Sequence, residues 1–324
     1  ASVLTNHLVR VLASYLVSPS CPRFVWDWSV VKYHLGYGRQ IMINGIGYYL
    51  FTNLDGWFVG KVMGESALGF YRKAYTLGNL PATELANVLA RVSFPSFSKL
   101  KDDRQRLGCA FLRVQQMLAL VMMPISAMLF FFAAPLVHVL LGEKWMPMIP
   151  AFQILVLWGS LRAQRAAAGS ALRAVGRPVL EAYTIFAKLA LLVVLLWPAR
   201  HYGIAGVAGV VLFAALLEFP VLMWLSARQL DIAPVAIYRP MILPSIVAAC
   251  AAGTSFLLSH GSSEIMRLFW GVFGTTMGYL AVMIAVECLF HPDQFTDVRR
   301  TWQLAYIKLG VLLKHREREI VDEE

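Results

Sequence analysis

Three stretches of this chain carry no Lys, Arg, Asp or Glu: Val114–Gly142, Pro240–Ser263 and Leu268–Val286. Roughly 18 or more such residues are enough to cross the hydrocarbon core of a bilayer as a helix. In lipid, every backbone N–H and C=O must be paired within the protein, so helices are the default spanning element. The alternating pattern of an outer-membrane barrel is absent. Composition points the same way: 58% of the 324 residues are hydrophobic, 15% are charged, and the mean hydropathy is +0.61. A soluble domain carries about 25% charged residues. The predicted fold class is all-α, a polytopic transmembrane helical bundle.

The formal net charge is +10. In a soluble protein that excess would suggest nucleic acid. Here basic loops that hold a topology against an anionic leaflet explain it, and no nucleic-acid partner is expected. The four cysteines, Cys21, Cys109, Cys250 and Cys288, show no CxxC or metal-ligand spacing. They read as small buried hydrophobes outside any disulfide framework.

Apolar periodicity and breaker residues place spans at 41–60, 75–97, 110–140, 150–174, 179–198, 203–226, 240–259 and 267–289. A partial helix covers 1–17, and a basic, Trp-rich connection covers 18–40, with a short interfacial helix open at 23–40. Pro124 is expected to kink the 110–140 span. Alternating from a cytoplasmic 18–40 segment, the cytoplasmic connections hold Arg23, Lys32, Arg39, Lys99, Lys101, Arg104, Arg106, Arg173, Arg177, Arg228 and Arg239. The opposite side holds Lys61, Arg72, Lys73, Lys144, Arg200 and Arg267. The positive-inside rule then puts the C-terminus in the cytoplasm. In the tail, 293–324, Phe295, Val298, Trp302, Tyr306 and Leu309 recur at helical spacing beside Arg299, Arg300 and Lys308, as in an amphipathic helix on a membrane surface.

An ordered set of short motifs starts near residue 53. It runs Asn53-Leu54-Asp55-Gly56-Trp57-Phe58-Val59-Gly60, Leu68-Gly69-Phe70-Tyr71-Arg72-Lys73-Ala74-Tyr75, and Phe94-Pro95-Ser96-Phe97-Ser98-Lys99-Leu100. It continues through Leu140-Leu141-Gly142-Glu143-Lys144-Trp145 to Leu172-Arg173-Ala174-Val175-Gly176-Arg177-Pro178. The set resembles the Wzx-like lipopolysaccharide and exopolysaccharide flippases, the oligosaccharide flippase family of the multidrug/oligosaccharidyl-lipid/polysaccharide exporter superfamily. The resemblance implies two six-helix lobes around a central cavity, often followed by two extra helices. It assigns 1–17 to the end of the last N-lobe helix, 18–40 to a cytoplasmic inter-lobe connection, 41–226 to the C-lobe, 240–289 to the extra pair and 293–324 to a cytoplasmic tail. The chain opens on Ala1 in the course of a helix, so an N-terminally truncated form is expected.

Ionisable residues inside spans are expensive and mark function by default. Arg162 and Arg165, three apart on one helix, lie near the middle of the 150–174 span, with Ala166-Ala167-Ala168-Gly169 leaving space beside them. Lys188 is at similar depth in the next span, and Arg91 is a turn from a helix end. Two readings stand. Glu181 and Glu218 neutralise these cations in a structural network. Alternatively, Arg162, Arg165, Lys188 and Arg91 form a cationic lumen, with guanidinium forks suited to phosphate and Lys a point charge. Glu218 is either a coupling carboxylate that exchanges a proton or a counter-ion for Lys188 or Arg162. Asp55 is a structural hydrogen-bonding group or part of an ion relay, and Glu181 is a third coupling candidate.

No ATP-binding loop, nucleophile elbow or metal-ligand cluster is present in the sequence, so an enzyme is not expected and no cofactor is called for. The resemblance implies flipping of undecaprenyl-pyrophosphate-linked oligosaccharide across the bacterial inner membrane, for lipopolysaccharide or exopolysaccharide biosynthesis. Proton or sodium coupling stays open. The implied partners are the lipid-linked oligosaccharide, membrane lipids, and polysaccharide polymerase and chain-length proteins. A drug or ion antiporter of the same superfamily, a membrane-embedded glycan polymerase or ligase, and a non-transporting scaffold are the alternatives.

Overall fold

The computed structural model describes residue 5 and residues 28–259 and 263–290; the side chains of 29–34, 36–37, 89–92 and 285–290 are outside that description. The expected partial helix 1–17 and the tail 293–324 lie outside the described residues. Nine α-helices follow among them: α1 Trp28–Met63, α2 Glu65–Lys99, α3 Arg104–Phe131, α4 Ala133–Leu141, α5 Ile149–Ala174, α6 Pro178–Ala199, α7 Gly203–Gln229, α8 Pro234–Leu258 and α9 Glu264–Phe290. Short 3-10 turns precede α5 and α7. The chain divides into two compact units, 1–43 and 44–324. The helical bundle is the second unit, and the first contains the opening of α1.

Helix α5 is the centre of the bundle. Its buried residues run from Ala151 to Leu172 around most of its circumference, and it packs against α2, α3, α6 and α7. Small residues make this possible: Gly159 lies against Asn79 and Gly78 of α2, close enough that an added Cβ would meet the Asn79 Oδ1 at 3.1 Å. α6 and α7 form a hairpin, and α8 and α9 form a second that rests on α3 and α4. Two apolar clusters result. One gathers Phe51, Phe58, Tyr71, Phe152, Trp158, Leu196 and Val211, the other Phe97, Phe111, Leu118, Leu172, Leu222 and Ile237.

Four helical stretches are long and apolar enough to cross a membrane: Arg104–Phe131, Pro178–Gln229, Pro234–Leu258 and Glu264–Ile284. The second comprises the α6–α7 hairpin, reversed at Gly203, whose φ of +64° favours glycine. Together they define a multi-pass membrane protein. α1, α2 and α5 fall outside that set. Two Trp–Arg pairs mark the ends of the hairpin. The Arg200 guanidinium stacks 4.3 Å from the Trp197 ring centroid, and Arg228 stacks 4.4 Å from Trp224. Along α7 these levels are about 30 Å apart, the thickness of a hydrocarbon core.

Several helices start earlier than the expected spans. α1 is continuous from Trp28 through position 41, α2 starts at Glu65 against an expected 75, and α3 and α8 start six residues before theirs, at Arg104 and Pro234. The expected 110–140 span breaks at Phe132, whose N–H still bonds to Met128. The cause is Pro135, which has no N–H for the carbonyl of residue 131. Pro124, the expected kink, lies inside α3. The carbonyl it leaves free, that of Leu120, accepts from the Tyr279 hydroxyl of α9 at 3.0 Å. Cys250 is exposed, not buried, because α8 turns Val247, Ala248 and Ala252 inward and the opposite face outward. Cys109 is exposed and free as well.

A charge ladder and a lone arginine inside the bundle

The ionisable residues of α5, α6 and α7 meet at the junction of the two apolar clusters. Starting from the end of α5 that turns at Gly176, Arg173 Nη1 lies 2.7 Å from Glu181. Glu181 lies 3.6 Å from Arg165, Arg165 lies 2.7 Å from Glu218, and Glu218 lies 2.7 Å from Lys188 Nζ. Cations and carboxylates alternate along this line. Arg165, Glu181, Glu218 and Lys188 are all buried, whereas the Arg173 side chain is about a third exposed. Lys188 lies about 15 Å along α6 from Pro178, half the thickness of a hydrocarbon core. The Thr184 hydroxyl donates to Glu218 at 3.2 Å, and the Lys188 ammonium sits 4.0 Å above the Phe51 ring. Gly169 makes room for the ladder, since a Cβ there would collide with the Glu181 carboxylate.

Arg162 is different. It and Arg165 share a stretch of α5 but diverge across Tyr48 of α1. Arg162 donates from Nε to the Tyr48 hydroxyl at 2.9 Å and from Nη1 to the Thr83 hydroxyl of α2 at 3.2 Å. Its guanidinium lies 5.6 Å from the Trp158 centroid. Among the described residues it has no carboxylate partner, and it is half-buried where Arg165 is buried. A small pocket of about 10 Å³, lined by Tyr48, Trp158, Arg162, Arg165, Lys188 and Glu218, separates it from the ladder. Arg165 Nη2 is buried there without a protein partner. Such a pocket holds about one water.

Of the expected cationic residues, then, Arg165 and Lys188 are neutralised by Glu218, with Glu181 also beside Arg165, and Arg162 is not. Arg91 lies on α2, and its side chain is outside the described residues. Glu218 is the counter-ion of Lys188 and Arg165, not of Arg162. Asp55 is buried in α1, where Oδ2 accepts from the Tyr71 hydroxyl and Oδ1 from the Gly56 N–H, both at 2.7 Å. It ties the α1–α2 hairpin together next to the turn at Gly64.

Four residues that the sequence reading did not single out now stand out. Tyr48 and Thr83 orient Arg162. Glu84 and its neighbour one turn on, Asn87, are exposed near the middle of α2. An exposed carboxylate at that depth is costly against lipid and tolerable against a polar cavity. The signal was present in the sequence: Glu84 is the one carboxylate in the expected 75–97 span, with Thr83 and Asn87 beside it. Among the described residues no group of three or more His, Cys, Asp or Glu is placed to hold a metal.

A bundle of long apolar helices with charges paired at mid-depth defines a class, that of polytopic helical membrane proteins. The matching solved structure is the lipid II flippase MurJ in its inward closed conformation. It superposes with a TM-score of 0.63 at 13% identity, over 83% of this chain and 57% of that one, which establishes the fold. Residues 1–150 match the family described as polysaccharide biosynthesis protein. The teichuronic acid biosynthesis protein TuaB of Bacillus subtilis (strain 168) is 29% identical over 269 residues, 81% of this chain and 56% of that protein. The lipopolysaccharide biosynthesis protein WzxC of Escherichia coli (strain K12) is 30% identical over 156 residues, 48% of this chain and 32% of that one. The motifs and the comparisons point the same way: the chain is similar to polysaccharide biosynthesis proteins of this kind. It spans about half the length, or less, of the curated relatives it matches.

Proposed function

We propose that this chain supplies one wall of a flippase for lipid-linked oligosaccharide, moving an undecaprenyl-pyrophosphate-linked glycan across the bacterial inner membrane during polysaccharide biosynthesis. The relatives named above support the cargo class. The observation that carries the reading is Arg162, a cation near mid-depth with two neutral hydroxyl partners and no carboxylate among the described residues. It lies on the face where α1, α2 and α5, the helices outside the apolar-enough set, come together. A planar guanidinium can take a phosphate oxygen pair bidentately, whereas a carboxylate-bound one is already engaged. In this reading Arg162 meets the pyrophosphate, Glu84 and Asn87 line the same aqueous face, and Arg91 lies one turn further along α2. Arg165 and Lys188, held by Glu218, make the wall behind Arg162 rigid. The Lys/Arg asymmetry puts the Gly176 turn and the C-terminus in the cytoplasm, so the ladder starts at the cytoplasmic surface. Polymerase and chain-length proteins are the partners this role would require.

The test is export in intact cells, read as surface polysaccharide, with membrane insertion checked separately. Arg162→Ala is expected to lose export, and Arg162→Lys to recover part of it, because the charge returns without the fork. Normal export by Arg162→Ala would remove Arg162 from the cargo path and with it this reading.

A further inference from the structure

A second cationic surface lies away from that wall. Between the end of α2 and the outer face of α3 is an open groove of about 780 Å³, with Leu100, Asp103, Arg106, Cys109, Arg113 and Met117 along it. Arg106, Cys109, Arg113, Met117 and Val121 recur every three or four residues, so they form one stripe on α3. The opposite face, Leu107, Phe111, Leu118 and Met122, is buried in the bundle. The stripe is exposed along its length: the Arg106 side chain is 79% accessible, and Met117 and Val121 are large exposed hydrophobics. It also changes character with depth. The two arginines occupy its first turns, and Met117 and Val121 lie about 16 and 22 Å below Arg106.

α3 is one of the stretches apolar enough to cross the membrane, so its outer face meets lipid. Arg106 pairs with Asp103 at 3.1 Å, an exposed pair that is worth little. Arg113 has no ion pair among the described residues and, at its depth, must carry its guanidinium back toward the interface. Lys99 and Lys101 add charge at the same corner.

We propose that this groove binds an anionic phospholipid, with its phosphate between Arg106 and Arg113 and an acyl chain along Met117 and Val121. A neutral detergent would fill the apolar part and offer Arg113 no anion, and a zwitterionic lipid would bring a cation along with its phosphate into an already basic corner. A soluble phosphate would satisfy the arginines and leave the apolar stripe bare. An anionic lipid matches both ends at once. The site is independent of the cargo path: it uses α3, and Arg162 faces α1 and α2.

Cys109 is a reporter built into the groove. The full chain is placed in phosphatidylcholine vesicles with increasing phosphatidylglycerol, and maleimide labelling of each cysteine is followed by peptide mass spectrometry. Phosphatidylglycerol should slow labelling of Cys109 and leave Cys250, exposed on α8, unchanged. The Arg106→Gln and Arg113→Gln variants should each weaken the protection about fivefold, as expected for a contribution near 1 kcal/mol per basic residue at the membrane surface. The double variant should show none. Equal slowing at Cys109 and Cys250, or protection that survives in the double variant, would mean a general effect of the bilayer and overturn the proposal. Protection by inorganic phosphate in phosphatidylcholine vesicles alone would identify a free-anion site and overturn the lipid assignment.

Discussion

Glu218 holds two cations, and removing it is the sharpest perturbation the bundle allows. Arg165 and Lys188 each approach it to 2.7 Å. At that distance, with an effective dielectric near 20, each attraction is about 6 kcal/mol. Desolvation of the three buried groups offsets most of it, so the intact cluster is close to neutral for stability, whereas deleting one partner of a buried pair costs about 3–5 kcal/mol. Glu218→Gln leaves Arg165, Lys188 and Arg173 facing Glu181 alone, and should cost about 4 kcal/mol. Lys188→Met takes a charge from the side in excess and leaves two arginines with two carboxylates. It should cost about 1 kcal/mol or less. The double variant should recover roughly half of the loss seen with Glu218→Gln, because one stranded cation is gone. Equilibrium unfolding in mixed detergent micelles, followed by helical circular dichroism, measures all three. If Lys188→Met costs as much as Glu218→Gln, or if Glu218→Gln costs under about 1 kcal/mol, the cluster is hydrated and the count of cations against carboxylates does not govern it.

Two further outcomes follow from other parts of the bundle. Tyr71→Phe removes one of the two donors to the buried Asp55 carboxylate and should destabilise by about 1.5–3 kcal/mol, with Asp55→Asn in the same chain restoring part of it; no loss in the single variant would show that water replaces the hydroxyl. A Glu143→Cys variant should be labelled by an impermeant thiol reagent from outside intact inner membranes, because the Lys/Arg asymmetry puts the turn after α4 on the non-cytoplasmic side. Labelling only after permeabilisation would invert the proposed orientation.

Much of the fold was legible because it rests on a one-dimensional signal. Apolar periodicity, and breakers such as Gly176-Arg177-Pro178, located α5, α6 and α7 within about three residues of their ends. Contacts from distant sequence were not legible. The Leu120 carbonyl that Pro124 leaves free is satisfied by Tyr279, far along the chain. For the charges, sequence spacing located their depth but not their partners. Arg162 and Arg165 are three apart and read as equivalent. A helical turn of divergence sends one to two hydroxyls and the other to a carboxylate. Glu84 is different: its position in the span is legible in the sequence, and only its exposure depends on how its neighbours pack.

The division of labour among the helices has a single physical origin. α3, α6, α7, α8 and α9 satisfy the bilayer by being apolar, and can stand against lipid without help. α1, α2 and α5 are less apolar overall and carry Asp55, Glu84, Arg162 and Arg165, while α6 and α7 keep Glu181, Lys188 and Glu218 buried and paired; a mid-depth charge costs on the order of 3 kcal/mol even on the lenient insertion scale. Burial against the apolar helices, with pairing to Glu181 and Glu218, removes most of that cost for Arg165. It does not do so for Arg162 or Glu84, which are half-buried and exposed. Two ionisable groups left without that protection on adjoining helices are stable only if their shared face looks onto water or a polar occupant. The charge ladder behind that face then has a mechanical consequence. It ties α5 to α6 and α7 through short, directional contacts. Under the proposed function, Arg162 would then be presented to an anionic cargo from a firmly held wall, as rocking of one bundle against another needs.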